Sequence, residues 1–258
     1  MKKGIWTVIL ILAVIVFAGS AGYLGYRFYH SQEQEAQKKE LDDQVKIDID
    51  ELLNLEFNGE RDGITSPIPE DVFTDDTDKR IDFDKLQAYN KELVAWIYIP
   101  NTKIDYPIAR HKDEDQTYYL NYDMYGEPSY SGCIYMEKAN KKDFTDNNTV
   151  IYGHNMKNGT MFSSLTKYKS QSYYDEHPVL YFYTPNGDYK IELIAGFVSK
   201  PTGEVYNTNQ TYEQVLEYCS HSTFCSNVVP NNEDSYITLS TCSYEFENAR
   251  YVVVGILK

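Results

Sequence analysis

Cysteine is scarce in this sequence, and several motifs that define common enzyme classes are missing. Only four cysteines occur in 258 residues, too few for a disulfide scaffold. No Cys-x-x-Cys or His-x-x-x-His spacing indicates a zinc site. There is also no Gly-x-Ser-x-Gly motif and no glycine-rich phosphate loop, which counts against serine hydrolases and nucleotide-dependent enzymes.

Positive charge is also in short supply. The chain has 24 Lys and Arg residues against 39 Asp and Glu residues, which gives a formal net charge of −15. Such a surface repels phosphate backbones, and no basic stripe offsets the excess of acids. Nucleic acid is therefore excluded as a general partner.

Long apolar runs are absent except near the start of the chain. Residues 4–26 form 23 positions without a charge, enough for a helix of about 30 Å that crosses a bilayer. Lys2 and Lys3 precede this run and Arg27 follows it, so the positive-inside rule places the N-terminus in the cytoplasm. A cleaved signal peptide is the alternative, because residues 18–21 are small, but the apolar run is long for one. We therefore predict a cytoplasmic stub and transmembrane anchor over 1–30, in the cell membrane, with all later residues extracellular.

The next segment, 31–80, has the composition of a stalk. Leu41, Val45, Ile49, Leu52 and Leu53 have helical spacing. Glycine and proline in GERDGITSPIPED interrupt that helix, and a polar, acidic stretch follows. We interpret the whole segment as an extracytoplasmic linker.

Residues 81–258 change to a pattern of short strands, and 25 tyrosines in the chain suit such a domain. The candidate strands are VAWIYIP, IDYPIA, GCIYMEK, NTVIYG, VLYFYT, DYKIELIAGFV, SYITLST and RYVVVGIL. Asn186-Gly187 predicts a hairpin turn. Helices are expected over FDKLQAYNKEL, near 161–168, and from Thr211, where Thr-x-x-Gln forms a capping box. Eight strands with few helices predict a mainly β domain, either a closed or nearly closed barrel or a sandwich.

Three residues at strand ends suggest nucleophilic chemistry. Cys242 ends the apolar strand TLSTC, and Arg250 opens the next strand. If these strands pair as a hairpin, the two side chains lie side by side at one rim, where the guanidinium favours a thiolate and can stabilise an oxyanion. His154 follows the strand NTVIYG in the same way. Together the three suit acyl transfer through a thioester.

Plainer interpretations remain open for these residues. A lone cysteine is usually a small buried hydrophobe, and Cys219 and Cys225 could close a disulfide loop or remain idle thiols. His154 competes with four other histidines, which lie at the membrane, in polar loops or before a proline: His30, His111, His177 and His221.

The ordered motifs resemble those of a class B sortase. TLSTC, the upstream YGHNM and the arginine that opens VVVG match the family's cysteine, histidine and arginine elements. WIYIP, IDYPI, YYLN and MFSSL extend the similarity over roughly 81–258, and the anchor and helical stalk agree with it.

The resemblance implies a fold, a reaction and a set of site residues. The fold would be an eight-stranded sortase-type β-barrel with helical insertions. Cys242 would attack a secreted protein's C-terminal sorting signal, resembling Asn-Pro-x-Thr-x, after its threonine, and the thioacyl product would pass to a cell-wall cross-bridge amine or a pilin lysine. His154 would move the protons and Arg250 would hold the carbonyl oxygen, with no metal or organic cofactor. Ser240, Tyr152 and, more weakly, Asn121 match positions near the substrate.

Two other classes of protein are alternatives. Another secreted cysteine hydrolase or transpeptidase, such as an L,D-transpeptidase, also acts on the cell wall, but its Ser-x-Gly-Cys-x-Arg pattern is missing. A catalytically silent surface-binding module would have no need of His154 and Arg250 beside Cys242.

Overall fold

The computed structural model describes residues 81–112 and 115–257, together with Val72. The predicted anchor (1–30) lies outside these residues, as does the predicted linker (31–80) apart from Val72. Within the described part of the chain, no helix is both long and apolar enough to span a bilayer.

Eight strands form a closed barrel in the order β1-β2-β3-β4-β7-β8-β6-β5, and β5 pairs with β1 to complete the circle. The strands are β1 Leu93–Tyr98, β2 Asp105–Ala109, β3 Ile134–Met136, β4 Asn148–Tyr152, β5 Val179–Thr184, β6 Gly187–Ser199, β7 Ser235–Cys242 and β8 Arg250–Leu257. Each strand lies within one of the eight predicted runs or extends it by one residue at one or both ends. The strands and the mainly β class are therefore confirmed. Of the two predicted architectures, the barrel is the one observed.

The pairing of the strands follows from their connections. The predicted Asn186-Gly187 turn joins β5 to β6, and Thr184 pairs with Gly187 at its base. The Thr184 hydroxyl accepts both turn N–H groups at 3.2 Å. Two pairs are parallel, β2 with β3 and β4 with β7, and both have the long connection that a parallel pair requires.

The helices lie between the strands. They are α1 Phe83–Tyr89, α2 Gln171–Glu176 and α3 Tyr212–Ser220, with short 3-10 helices at Tyr118–Leu120, Ser163–Lys169 and Glu204–Tyr206. The Thr211 capping box of α3 is confirmed. The helix expected near 161–168 is instead the 3-10 helix Ser163–Lys169, which starts later because Met161 has φ of +55°, outside the helical region.

Buried side chains form three clusters. The barrel core fills the interior and includes Ile97, Ile151, Leu239 and Val253. Two clusters cover the outside of the sheet. The first cover packs α1 and the 3-10 helix Tyr118–Leu120 on Trp96 and Tyr135, and it includes Val72. The second cover packs the β6–β7 connection, through Val205 and Val215, on Tyr236 and Val252.

Candidate active site

Strands β7 and β8 bring Cys242 and Arg250 together on the outer face of the barrel. The two residues are direct cross-strand partners, which places their Cβ atoms about 4.5–5.5 Å apart. Leu239 points into the barrel core, so the alternation of a strand turns Ser240 and Cys242 outward. The predicted pairing of Cys242 with Arg250 at one rim is confirmed.

His154 follows strand β4 and lies beside the end of β7. In the parallel β4–β7 pair, Tyr152 lies opposite Ser240. His154 and Cys242 each lie two residues beyond this pair, so the same register puts His154 level with Cys242. The Gly153 N–H donates to the Ser240 carbonyl at 3.1 Å, so the two backbone segments stay adjacent just beyond the end of β4.

Two side chains continue this β4–β7 junction. The Thr241 hydroxyl donates to the Gly153 carbonyl at 2.8 Å, and the Asn155 amide donates to the Cys242 carbonyl at 2.8 Å. The segments that carry the histidine and the cysteine are thus held to each other on both sides of His154.

The His154 ring is oriented by a backbone carbonyl. Its Nε2 lies 2.9 Å from the Leu120 oxygen, and because a carbonyl only accepts, Nε2 must carry the proton in this contact. The 3-10 helix that presents Leu120 is itself fixed, since the Tyr119 hydroxyl donates to Glu92 at 2.7 Å. Asn121, the next residue, has an exposed side chain, and its backbone carbonyl accepts from the Ser129 N–H at 2.8 Å.

The Arg250 guanidinium is turned toward its own loop. Nη1 donates to the carbonyls of Asn248 and Ala249, at 3.1 Å each. Both acceptors are neutral oxygens, so a substrate carbonyl that develops negative charge competes well for the same donor.

A cluster of tyrosines borders the site on the Ser240 side. Tyr152 of β4 stacks on Tyr206 at 6.0 Å and lies 5.3 Å from Tyr135, measured between ring centroids. The Tyr206 hydroxyl and the Ser240 hydroxyl are 3.0 Å apart, and the Tyr152 hydroxyl donates to Glu137 at 2.8 Å. Ser240 is only 2% exposed, so in this structure its hydroxyl supports Tyr206 and lies beneath the surface.

The three phenols are neutral at physiological pH, and burial moves their pKa further from it. Burial raises the pKa of Tyr135, Tyr152 and Tyr206 above the usual value, and the Glu137 carboxylate raises that of Tyr135 and Tyr152 further. The charge of Arg250 acts in the opposite sense on Tyr135 and Tyr206. The cluster is therefore a neutral, hydrogen-bonding wall within electrostatic range of the guanidinium.

The β7–β8 loop forms the other wall. It encloses an open depression of about 530 Å³, with Cys242 and Arg250 in its lining. Tyr244 and Phe246, in the same loop, are 81% and 44% exposed. Lys169 ties the loop to the 3-10 helix Ser163–Lys169, because its ammonium contacts the Glu245 carboxylate and, at 3.2 Å, the Ser243 hydroxyl.

The competing residues are placed elsewhere. All four cysteines, each within the described residues, are free thiols. Cys133 is buried, which raises the pKa of its thiol to about 12, while Cys219 lies in α3 and Cys225 in an exposed loop. His111, His177 and His221 contact Glu92, the Pro100 carbonyl and the Glu217 carbonyl respectively. His30 lies outside the described residues.

Sequence reasoning missed part of this arrangement. Asn155 could have been suspected because it directly follows His154. Tyr206, Tyr135 and the Leu120 carbonyl carry no local signal, since each reaches the site through pairings that are distant in the chain.

Comparison with known proteins identifies the family of the chain. A family model described as the sortase domain matches residues 97–258. Sortase B of Listeria monocytogenes is 30% identical over 96% of this chain and 94% of its own length. A Staphylococcus aureus sortase B–substrate complex superimposes with a TM-score of 0.63, at 31% identity, over 68% of this chain and 84% of that one. A Bacillus anthracis sortase B complexed with AAEK1 gives a TM-score of 0.64, at 31% identity, over 72% of this chain and 91% of that one.

The family match and the relatives define a cysteine transpeptidase of the sortase type, and the closed barrel agrees with it: the chain belongs to the sortase family. Within that family it is a class B sortase.

Proposed function

We propose that Cys242, His154 and Arg250 are the catalytic residues of this sortase. The observation that carries the proposal is the register of β4, β7 and β8: Cys242 pairs with Arg250, and the pair Tyr152–Ser240 lies two residues before His154 and Cys242. The groups are the ones that acyl transfer needs: a nucleophile, a proton carrier and an oxyanion donor.

In the first half-reaction, the Cys242 thiolate attacks the carbonyl carbon that follows the threonine of a sorting signal. Arg250 leaves the Asn248 and Ala249 carbonyls and donates to the oxygen as it becomes negative. His154 gives a proton to the departing amine, the C–N bond breaks and a thioacyl enzyme remains. The leaving peptide carries away that proton.

In the second half-reaction, an amine attacks the thioester and His154 takes its proton. The tetrahedral intermediate collapses, the C–S bond breaks and Cys242 regains the thiolate form. With Nε2–H bound to Leu120, Nδ1 is the nitrogen that is left to exchange protons.

The substrates follow from the class B resemblance. We propose a secreted protein with an Asn-Pro-x-Thr-x-like C-terminal signal as donor, and a peptidoglycan cross-bridge amine or a pilin lysine as acceptor. The neutral wall of Tyr135, Tyr152 and Tyr206 offers hydroxyls and ring faces for such a polar peptide. Ser240 contributes by fixing Tyr206. Asn121, which directly follows the Leu120 that orients His154, is the weaker candidate for a substrate contact. No metal or cofactor takes part in this scheme.

The location of the enzyme is part of the proposal. We propose a single-pass membrane protein with its N-terminus in the cytoplasm and the barrel outside, because residues 4–26 are uncharged and follow two lysines.

The test uses the full chain and a fluorogenic Asn-Pro-x-Thr-x peptide library. We expect cleavage after threonine, a thioacyl adduct on Cys242 in the mass spectrum, and transfer to an added amine. Triglycine and a lysine-containing peptide as acceptors would separate the two acceptor classes. An adduct on another cysteine, or equal cleavage by Cys242→Ala, would refute the assignment.

A further inference from the structure

The β4–β7 junction has a feature that the three catalytic residues do not explain. In a parallel pair, hydrogen bonds from one strand recur every second residue. Since the Gly153 N–H bonds the Ser240 carbonyl, the next bond of a continuing ladder would join the backbone N–H of Asn155 to the Cys242 carbonyl. That carbonyl accepts instead from the side-chain amide of Asn155, at 2.8 Å.

The substitution of side chain for backbone lets the chain leave the sheet at the catalytic histidine. The backbone of Asn155 pairs with Met161 in an isolated antiparallel bridge, and the Phe162 N–H donates to the His154 carbonyl at 2.9 Å. The YGHNM segment therefore folds back on itself immediately after His154. The Asn155 side chain is the contact that still binds this turn to the nucleophile's own peptide group.

We propose that Asn155 is a positioning residue that sets the His154–Cys242 geometry for both half-reactions. It acts through the Cys242 carbonyl and does not touch substrate. Because Asn155 is covalently next to His154, its hydrogen bond to the Cys242 carbonyl ties the backbone of the histidine to that of the cysteine. A misplacement of about 1 Å at such a pair can cost ~100-fold in rate. The proposal rests on the proposed roles of His154 and Cys242.

The charge and shape of the amide both matter to this role. Asn155→Ala removes the donor and leaves the Cys242 carbonyl without this partner. Asn155→Asp keeps the size of the side chain but replaces a donor with a carboxylate, which repels both a carbonyl oxygen and a thiolate. A purely space-filling role would tolerate aspartate, whereas the positioning role would not.

The experiment compares wild type, Asn155→Ala and Asn155→Asp in the full chain. The matched control is Asn158→Ala, in the same loop, where the side chain accepts from Thr160 at 2.7 and 3.0 Å. Three quantities are measured: the thermal midpoint, kcat and KM for a cleaved Asn-Pro-x-Thr-x peptide, and the pH dependence of Cys242 alkylation by iodoacetamide. Cys133, Cys219 and Cys225 are replaced by alanine throughout, so that only one thiol reacts.

We expect both Asn155 variants to lose at least ~10-fold in kcat with KM changed less than about twofold, and the alkylation profile of Asn155→Asp to move to higher pH. Asn158→Ala should match wild type in all three measurements. Folded Asn155 variants with wild-type kcat would overturn the proposal, as would a loss of kcat that the Asn158 control shares. If one Asn155 variant fails to fold, the other decides. Alkylation needs no peptide, so a wild-type enzyme that alkylates normally but cleaves no peptide would count against the proposed function and not against Asn155.

Discussion

At the residue scale, the planar head of Arg250 matters more than its charge. Its Nη1 donates to two loop carbonyls, and the planar head carries further N–H donors in a fixed arrangement that a lysine ammonium does not reproduce. In the proposed mechanism the planar head leaves these carbonyls and donates to a substrate oxygen in a fixed geometry. This distinguishes Arg250 from an exposed strand-end charge, which contributes ~0–1 kcal/mol to stability.

We therefore expect Arg250→Ala and Arg250→Lys to fold normally and to lose at least ~100-fold in kcat/KM, the usual effect of removing an oxyanion donor. Steady-state cleavage of a fluorogenic sorting peptide measures the loss, and circular dichroism checks the fold. Near-wild-type turnover by Arg250→Lys would reduce the residue to a generic positive charge. Near-wild-type turnover by Arg250→Ala would remove it from the site.

Three of the four thiols lie away from the proposed active site. Cys133 is 5% exposed and its sulfur lies 3.8 Å from the Pro107 carbonyl, whereas Cys219 and Cys225 lie in and just after α3. Replacing all three by alanine should keep most of the turnover and lower the free energy of unfolding by ~1–3 kcal/mol, mainly at the buried site.

The single change Cys242→Ala should abolish transfer without this loss of stability. Denaturant titration and peptide cleavage on the same samples separate the two effects. If the triple variant folds but is inactive, one of the three thiols has a catalytic role that its position does not suggest.

At the element scale, the strands could be read from the sequence because their residues are β-branched and aromatic and their turns carry clear signals, Asn186-Gly187 above all. The choice between barrel and sandwich could not, because it depends on β1 meeting β5 across more than eighty residues. The 3-10 form of Ser163–Lys169 was missed because propensity alone does not separate it from an α-helix.

The residues of the proposed catalytic site divide in the same way between those that the sequence predicts and those that it does not. Cys242, His154 and Arg250 follow from strand ends and motifs, all of them local. The second cover brings Tyr206 over Ser240 from the 3-10 helix Glu204–Tyr206 in the β6–β7 connection, and no spacing in the sequence predicts that contact.

The anchoring of the β7–β8 loop by Lys169 gives a pH prediction. The hydrogen bond from Lys169 to the Glu245 carboxylate, and to a smaller extent the one from Ser243, lowers the pKa of Glu245 to about 2. A carboxyl whose pKa is depressed on folding stabilises the folded state above its unfolded value, near 4.3, and loses that contribution as pH falls toward 2. Both side chains are more than a third exposed, so we expect an effect of at most ~1 kcal/mol.

Denaturant titrations of wild type and Glu245→Gln between pH 2 and 7 test this link. The difference in free energy of unfolding should be constant above about pH 5 and should shrink steadily below it. Glu247→Gln, the same change two residues away in the loop, is the control. A difference that does not depend on pH would mean that Lys169 does not hold the loop through Glu245.

At the scale of the whole molecule, the barrel closes on itself and carries its own three buried clusters. Val72 belongs with it, since this side chain is fully buried in the first cover and its carbonyl accepts the Asp82 N–H at 2.7 Å. The packed barrel domain therefore includes Val72, which lies inside the segment that composition alone assigns to the linker.

Two truncations test separately whether the barrel needs the predicted anchor and whether it needs Val72. Removal of residues 1–30 should give a soluble, folded and active enzyme, because the only long apolar run is lost and Val72 is kept. Removal of residues 1–80 also removes Val72, whose full burial contributes ~1.5–3 kcal/mol, and we expect a lower thermal midpoint with the catalytic residues unchanged. Solubility, thermal denaturation and peptide cleavage on both proteins measure the outcome. Aggregation of the first truncation would show that the barrel depends on the anchor, and equal midpoints for the two would show that Val72 contributes nothing to the first cover.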